Sequence, residues 1–408
     1  MTRNSSIMKL QHFLTSIAFL LCVHFSNAQT KIDSEELTTK LQKIQDIGFL
    51  PGFAVAIVNA DGVQYQNGFG YSDIETKKPF TVNSLQNIGS ISKTLTGVCL
   101  MKLVEEGKLS LDTPINNFMP TNIYNPYHPK SPITIRHLAN HTSSIIDPYD
   151  YERTYLLFEK ITLSETEIPE DLKEYINLYN QNKPMTVIDF IENMIHPLGK
   201  WYSKKNFSRK KPGTEYNYSN MGAAIAGYII EQVSGKTYME YTKEMILNPL
   251  KMDNSGWGHD TIDMSKFVSL YLSNNKKIPH YSLISYADGG LITSVNDMAL
   301  YFSEIIKGYN GGVSELLTSD SFQKMMNQVA VTEEKETGLF WQKIGKTHIG
   351  HTGGDPGIMT FMTFDPETGY GYIIFTNKSD GEGDGYNQLV YTWKTLQEYL
   401  ENTKVVTN

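Results

Sequence analysis

Two cysteines and four arginines in 408 residues are the first scarcities of this sequence. Cys22 lies in an N-terminal apolar run and Cys99 stands alone in the rest of the chain. Once that run is removed, no internal disulfide can hold the fold. Arginine is absent after Arg209, and 36 basic residues face 44 acidic ones for a net charge of −8. That balance argues against a nucleic-acid binder, which needs a basic patch. After the first 30 residues no run has the roughly 20 apolar residues of a membrane-spanning helix. There is no internal repeat and no low-complexity tract. With 40% hydrophobic and 20% charged residues, collagen-like and disordered chains are excluded as well.

The first 28 residues read as a secretory signal peptide. Arg3 and Lys9 precede an apolar run from Phe13 to Val23, and Ser26-Asn27-Ala28 supplies the small residues a signal peptidase reads. Leu21 stands before Cys22 where a lipoprotein would carry a small residue. Cleavage after Ala28 would remove two cations and no acid, taking the net charge from −8 to −10. The expected location is exported, periplasmic or secreted. The remainder, residues 29–408, reads as one domain: a sheet part at about 31–80 and 337–408, and a helical part at about 81–336.

The periodicities set the fold class. Residues 33–47 repeat Leu37, Leu41 and Ile44 at helical spacing behind Asp33 and Ser34. Residues 53–59 and 63–70 read as strands around the Asn59–Gly62 turn, a hairpin. Helical patterns dominate from about 90 to 330. Strands return at 337–343, 347–351, 357–364 and 370–376, and a last helix covers about 386–402. The prediction is an α/β chain of the α+β type. One antiparallel sheet, built from both chain ends, is covered by terminal helices and carries an inserted all-helical subdomain. Residues 146–211, polar and rich in Tyr and Lys, read as an excursion without evident chemistry.

Three short elements carry candidate chemistry. Ser90 and Lys93 stand one turn apart on a strongly apolar helix, with Gly97 on the same face. A cation on a buried helix is costly. It suits a nucleophile, Ser90, placed at a helix N-terminus that favours developing negative charge. Beside it, a desolvated lysine gives up its proton more readily. The Ser-x-x-Lys spacing recurs elsewhere, for example at Ser273–Lys276 and Ser321–Lys324, so context and not spacing selects Ser90. Tyr218 and Asn220 lie where a loop enters a helix, with Ser219 or Asn220 as its cap. His351 ends a strand before Thr352, Gly353 and Gly354, whose glycines permit close approach of a backbone or ligand. The His348/His351 and His137/His141 pairs lack the adjacent carboxylate of a metalloprotease pattern, so no metal and no cofactor are expected. Cys99 reads as a buried small hydrophobe.

In this order, Ser90-Ile91-Ser92-Lys93, Tyr218-Ser219-Asn220 and His351-Thr352-Gly353 resemble the serine β-lactamase and penicillin-binding protein superfamily. The Tyr-x-Asn element is similar to the class C branch, with its DD-peptidases, D-aminopeptidases and esterases. Leu111–Ile115, Ile133–Leu138, His141-Thr142-Ser143, Pro249-Leu250, Gly289-Gly290-Leu291 and Asp297 extend the resemblance over about 50–377. It implies a serine hydrolase with a cleft between the sheet and helical parts and an acyl-enzyme on Ser90. Lys93 and Tyr218 would share the base role, and Asn220 would orient Lys93 and bind substrate amide. The N–H groups of Ser90 and Gly354 would form an oxyanion hole, and His351, Thr352 and Gly353 would line the cleft. Which of Lys93 and Tyr218 is the base stays open. The implied partner is a small-molecule or peptide substrate, cell-wall fragments included. A penicillin-recognising or peptidoglycan-binding module with little turnover is the alternative. His351 stands where class C β-lactamases carry Lys, and arginine, the usual anchor of a carboxylate, is missing from the C-terminal half. Esters or D-amino-acid derivatives are therefore expected to outperform β-lactams. Ser144 replaces the glycine usual after His-Thr-Ser.

Overall fold

The computed structural model describes residues 34–327, 337–381 and 383–405. The expected signal peptide, residues 1–28, lies outside the described residues. Strands β1 (Gly52–Asn59), β2 (Gly62–Asp73) and β3 (Lys78–Pro79) come from one chain end. The other end supplies β4 (Gln342–Ile344), β5 (His348–Asp355), β6 (Ile358–Phe364) and β7 (Gly371–Thr376). They form one antiparallel sheet in the order β4-β5-β6-β7-β1-β2-β3. The two chain ends meet at the β1–β7 ladder, from Phe53 opposite Thr376 to Val58 opposite Gly371.

Period-two alternation explains why both faces of this sheet are covered. Phe53, Val55 and Ile57 of β1 point to one side, where helices α1 (Ser34–Gln45) and α5 (Asp384–Val405) cover them. Leu37, Leu41 and Ile44 are the buried stripe of α1, as their spacing predicts. Gln388 ties these ends together. It accepts from the backbone N–H groups of Phe49 and Leu50 at 3.0 and 3.1 Å and donates to the Ile44 carbonyl at 2.8 Å. Ala54, Ala56 and Val58 face the helical part. Its central elements are α2 (Ser92–Glu105), α3 (Asn220–Ser234) and α4 (Val295–Tyr309). Cys99 is fully buried there, and burial pushes its thiol pKa up.

Four expectations need correction. The inserted part is not all-helical, because its loops pair in short ladders: Gln86–Asn87 with Ile292–Thr293, Tyr155–Leu157 with Tyr281–Leu283, and Leu270–Tyr271 with Lys277–Ile278. Strand β5 does not end at His351 but continues through Thr352, Gly353 and Gly354 to Asp355. The turn falls instead at Pro356 and Gly357, where Gly357 takes φ +81°. The strand expected at 337–343 is only Gln342–Ile344. Before it, the backbone N–H groups of Leu339 and Phe340 donate to Met325 and Ala139 in the helical part, so they cannot join the ladder. Helix α2 starts at Ser92, and Ser90 sits in the single 3-10 turn Gly89–Ile91 that leads into it.

Candidate functional site

The site lies where the start of α2, the start of α3 and the free half of β5 converge. Gly89 lets the first approach the third. It holds φ +54°, in the left-handed region, and a Cβ there would stand 3.0 Å from the Gly354 nitrogen and 3.2 Å from Asp355 Oδ2. Gly353 permits the same approach from the other side, because a Cβ on it would sit 2.1 Å from the Ile88 carbonyl oxygen. That carbonyl also accepts from Thr360 Oγ1 at 2.8 Å. Gly354 has open space around it. Gly97, on the same face as Ser90 and Lys93, plays another part: it packs against the Leu339 carbonyl of the segment before β4.

Lys93 is fully buried, and each of its three N–H bonds is spoken for. Nζ donates to Ser90 Oγ at 2.9 Å, Asn220 Oδ1 at 2.7 Å and the Asp288 carbonyl at 2.6 Å. Among the described residues it has no carboxylate as a direct partner. Its charge is felt at longer range by Asp147, Asp288 and Asp355, whose pKa values it pulls down. Burial outweighs that pull in each case. Asp288 is pushed up to about 6, and Asp355 to about 7.

Asn220 is free to hold Lys93 because a neighbour caps its helix. Ser219 is the cap, accepting from Gly222 N. Asp147 completes the helix start. It accepts from Asn220 N at 2.7 Å, Met221 N at 3.0 Å and Ser219 Oγ at 2.9 Å. A carboxylate at a helix N-terminus is favoured by the exposed N–H groups and the dipole.

Tyr218 lies over this pair, with Lys93 Nζ 5.1 Å from its ring centroid. Its ring packs on His141 at 4.4 Å between centroids and faces His351 at 6.0 Å. Its buried hydroxyl makes no hydrogen bond of ordinary geometry. Burial raises the Tyr218 pKa, while Lys93 and Ser90 pull it partly back. His351 is buried, and its Nδ1 lies 2.6 Å from the Thr352 carbonyl oxygen. A carbonyl can only accept, so Nδ1 carries the proton and a neutral ring would present Nε2 as an acceptor. Ser144 holds φ +66°, which gives the glycine usual there a backbone reason; Asn125 Nδ2 donates to its Oγ at 2.9 Å.

Ser90, Lys93, Tyr218, Asn220 and His351 are thus brought together, with Thr352, Gly353 and Gly354 along β5 beside them. A cleft of about 440 Å³ is lined in part by Thr352, Gly353 and Gly354; Ser90, Lys93 and Tyr218 are not in its lining. Sequence reasoning missed Asp147, Tyr151, Glu152 and Tyr155, all from the stretch read as lacking chemistry. Tyr151 donates to Asp288 Oδ2 at 2.6 Å and Tyr155 to Asp355 Oδ1 at 2.6 Å. The available signal was the density of Tyr and acid in residues 147–155.

Comparison with known proteins places this arrangement. The family model described as Beta-lactamase matches residues 38–396. The human protein "Serine beta-lactamase-like protein LACTB, mitochondrial" is 26% identical over 349 residues, covering 75% of this chain and 63% of its own length. This chain therefore matches less than two thirds of that relative. The octameric penicillin-binding protein homologue from Pyrococcus abyssi superposes with a TM-score of 0.68 at 26% identity, covering 86% of this chain and 74% of that one. The D-amino acid amidase from Ochrobactrum anthropi SV3 gives 0.67 at 20% identity, with 91% and 99% covered, a likeness of fold.

Proposed function

This chain belongs to the beta-lactamase family, and from that premise we propose that it is an exported serine hydrolase that cleaves an ester or amide through an acyl-enzyme on Ser90. The observation that carries the reading is the Lys93–Ser90 contact of 2.9 Å, made by a buried lysine without a direct carboxylate partner. A structural lysine would be expected to bury itself in an ion pair. This one is held instead by an amide oxygen and a carbonyl, and it is aimed at a hydroxyl.

The steps follow from these positions. Asn220 Oδ1 and the Asp288 carbonyl hold two N–H bonds of Lys93; as an amine it turns a lone pair, in place of the third N–H, toward Ser90 and takes its proton as Oγ attacks the substrate carbonyl carbon. The carbonyl oxygen becomes an oxyanion between the backbone N–H groups of Ser90 and Gly354. One such donor is worth about 2.7–4 kcal/mol in the transition state. Burial keeps Tyr218 a phenol at neutral pH, which suits it to hand a proton to the departing alcohol or amine and recover one through Lys93. The C–O or C–N bond breaks and the acyl group remains on Oγ. Water then adds to the ester, gives a proton to the same relay, and the acid leaves as Ser90 Oγ is reprotonated. A neutral imidazole at His351 would hold a substrate carboxylate less well than the lysine of class C β-lactamases, which weighs against β-lactams and D-Ala-D-Ala termini.

A fluorophosphonate probe and a p-nitrophenyl ester test the reading. The wild type should be labelled and turn over the ester, and Ser90→Ala should do neither. Full activity in Ser90→Ala would overturn the assignment. Labelling without turnover would favour a penicillin-recognising module. A fast nitrocefin rate would contradict the weight placed on His351. Export is checked by fractionation: loss of residues 1–28 should retain the protein in the cytoplasm.

A further inference from the structure

The cleft beside Ser90 has the opposite charge character to the Lys93 pocket. Among the described residues its lining holds two carboxylates, Glu152 and Asp355, and no lysine, arginine or histidine. Each carboxylate is oriented by a tyrosine of the same wall: Tyr179 donates to Glu152 Oε2 at 2.5 Å and Tyr155 to Asp355 Oδ1 at 2.6 Å. A carboxylate has about four acceptor sites, so both retain capacity. Asp355 Oδ2 is buried without a hydrogen-bond partner. It lies on the side nearest the nucleophile, because a Cβ on Gly89, the residue before Ser90, would stand 3.2 Å from it. The tyrosines themselves form a cluster, with Tyr155–Tyr179 centroids 5.1 Å apart and Tyr175–Tyr179 6.1 Å apart. Aromatic faces attract cations, most strongly when desolvated. Leu172 and Phe361 add apolar wall.

A pair of half-buried carboxylates is unfavourable in the empty protein, and the Lys93 charge offsets only part of the cost at Asp355. Both are held above the usual carboxylate range, Asp355 at about 7, with burial the largest cause. A ligand bringing a positive charge with N–H donors would remove that penalty, and a neutral or anionic one would not. Resting on the hydrolase reading above, we propose that this cleft is an ammonium-binding acyl subsite, selecting substrates whose acyl portion carries a protonated amine on an apolar body. Gly353 and Gly354 belong both to the cleft lining and to the Ser90 surroundings, so an acyl group seated in the cleft keeps its carbonyl within the reach of Oγ. The leaving group then points away, toward Tyr218 and His351.

Two measurements test this, one of them independent of catalysis. Calorimetric titration of the purified protein with 2-phenylethylamine and with 2-phenylethanol compares a cation with a neutral isostere. The amine should bind at least tenfold tighter at pH 8; equal binding, or tighter binding of the alcohol, overturns the subsite. In turnover, p-nitroanilides of free amino acids, in D and L forms, should be cleaved at least tenfold faster than their N-acetyl counterparts. Glu152→Gln and Asp355→Asn should each lower that ratio at least threefold. A ratio below one in the wild type, or one unmoved by both variants, overturns the proposal. Ester hydrolysis with no amine preference defeats the subsite alone. Absence of Ser90 labelling and of all turnover defeats the hydrolase reading, and the titration then still decides the subsite.

Discussion

Two neighbouring regions of this molecule bury charge in opposite ways. Around Ser90 there is one cation, Lys93, with no carboxylate directly on it. In the adjoining cleft there are two carboxylates with no cation in the lining. A fold seeking only stability would bring the two together, since an unpaired buried charge costs several kcal/mol. Here Gly89, Gly353 and the Asp288 carbonyl hold them apart. The lesson is that the separation itself is the functional feature. The lysine is kept available to a hydroxyl, and the carboxylates are kept available to something that arrives.

The sharpest way to break the comparison is to remove the cation. Lys93→Met keeps the length and apolar stem and deletes the amine. Fluorophosphonate labelling and ester turnover should fall by about 10²–10⁴, the range of general acid–base groups. Turnover near that of the wild type would mean that Lys93 is merely a structural link between α2, α3 and Asp288. Tyr218→Phe removes a hydroxyl whose only neighbours that could share a hydrogen are Lys93 and Ser90 of the same described site, with no bond of ordinary geometry to the rest of the fold. It should cost about 10²-fold in kcat with the melting temperature almost unmoved, a pattern that separates proton transfer from packing.

A change in the wall between the two regions should act on stability as well as rate. Gly353→Ala places a methyl group against the Ile88 carbonyl, and backbone cannot step aside as a side-chain tip can. A destabilisation of about 1–3 kcal/mol is expected from overpacking, read by denaturant melting, together with slower labelling of Ser90 as the 3-10 turn is pushed from β5. Unchanged melting and labelling would show that β5 and the Ser90 turn are not in the close contact described.

How much of this was legible beforehand follows the range of the interactions. Most sheet strands and both terminal helices were readable because their signals are local: the continuous apolar run of β1, the Leu37, Leu41 and Ile44 stripe of α1, the Asn59–Gly62 turn. Ser90, Lys93, Tyr218, Asn220 and His351 could be singled out because each carries its own short context or family motif. The extension of β5 past His351 was not readable. Two glycines look like a turn, and only the Ile88 carbonyl packed against Gly353 explains why they lie in a strand. Glu152, Tyr155 and Tyr179 were equally hidden. Their partners lie about 27 to 200 positions away, no periodicity marks them, and their stretch has the polar composition of a loop.

The smallest expected effect concerns pH, and it bears on the cleft alone. Asp355 is held at about 7 and Asp288 at about 6, both above the ordinary value of 3.8. The folded protein therefore keeps protons that the unfolded chain loses between about pH 4 and pH 7. The share of stability owed to these two groups falls as pH rises through that window and levels off above it, while His137, His259 and His280, whose pKa values burial lowers, act with the opposite sign inside it. Acids held low by hydrogen bonds, such as Asp73 and Asp112, act with the opposite sign and below that window. The groups acting on Asp355 are Tyr155, Asp288, Lys93 and Glu152, so Asp355→Asn should flatten the decline in melting temperature between pH 5 and 7. Binding should move the other way. As pH rises from 6 to 8 the carboxylate ionises while an alkylammonium stays charged, so 2-phenylethylamine should bind more tightly and 2-phenylethanol should not. If the melting curves of the wild type and Asp355→Asn depend on pH alike and the amine affinity is flat from pH 5 to 8, the Asp355 carboxyl is already ionised. The contrast between the two regions would then lose its electrostatic basis.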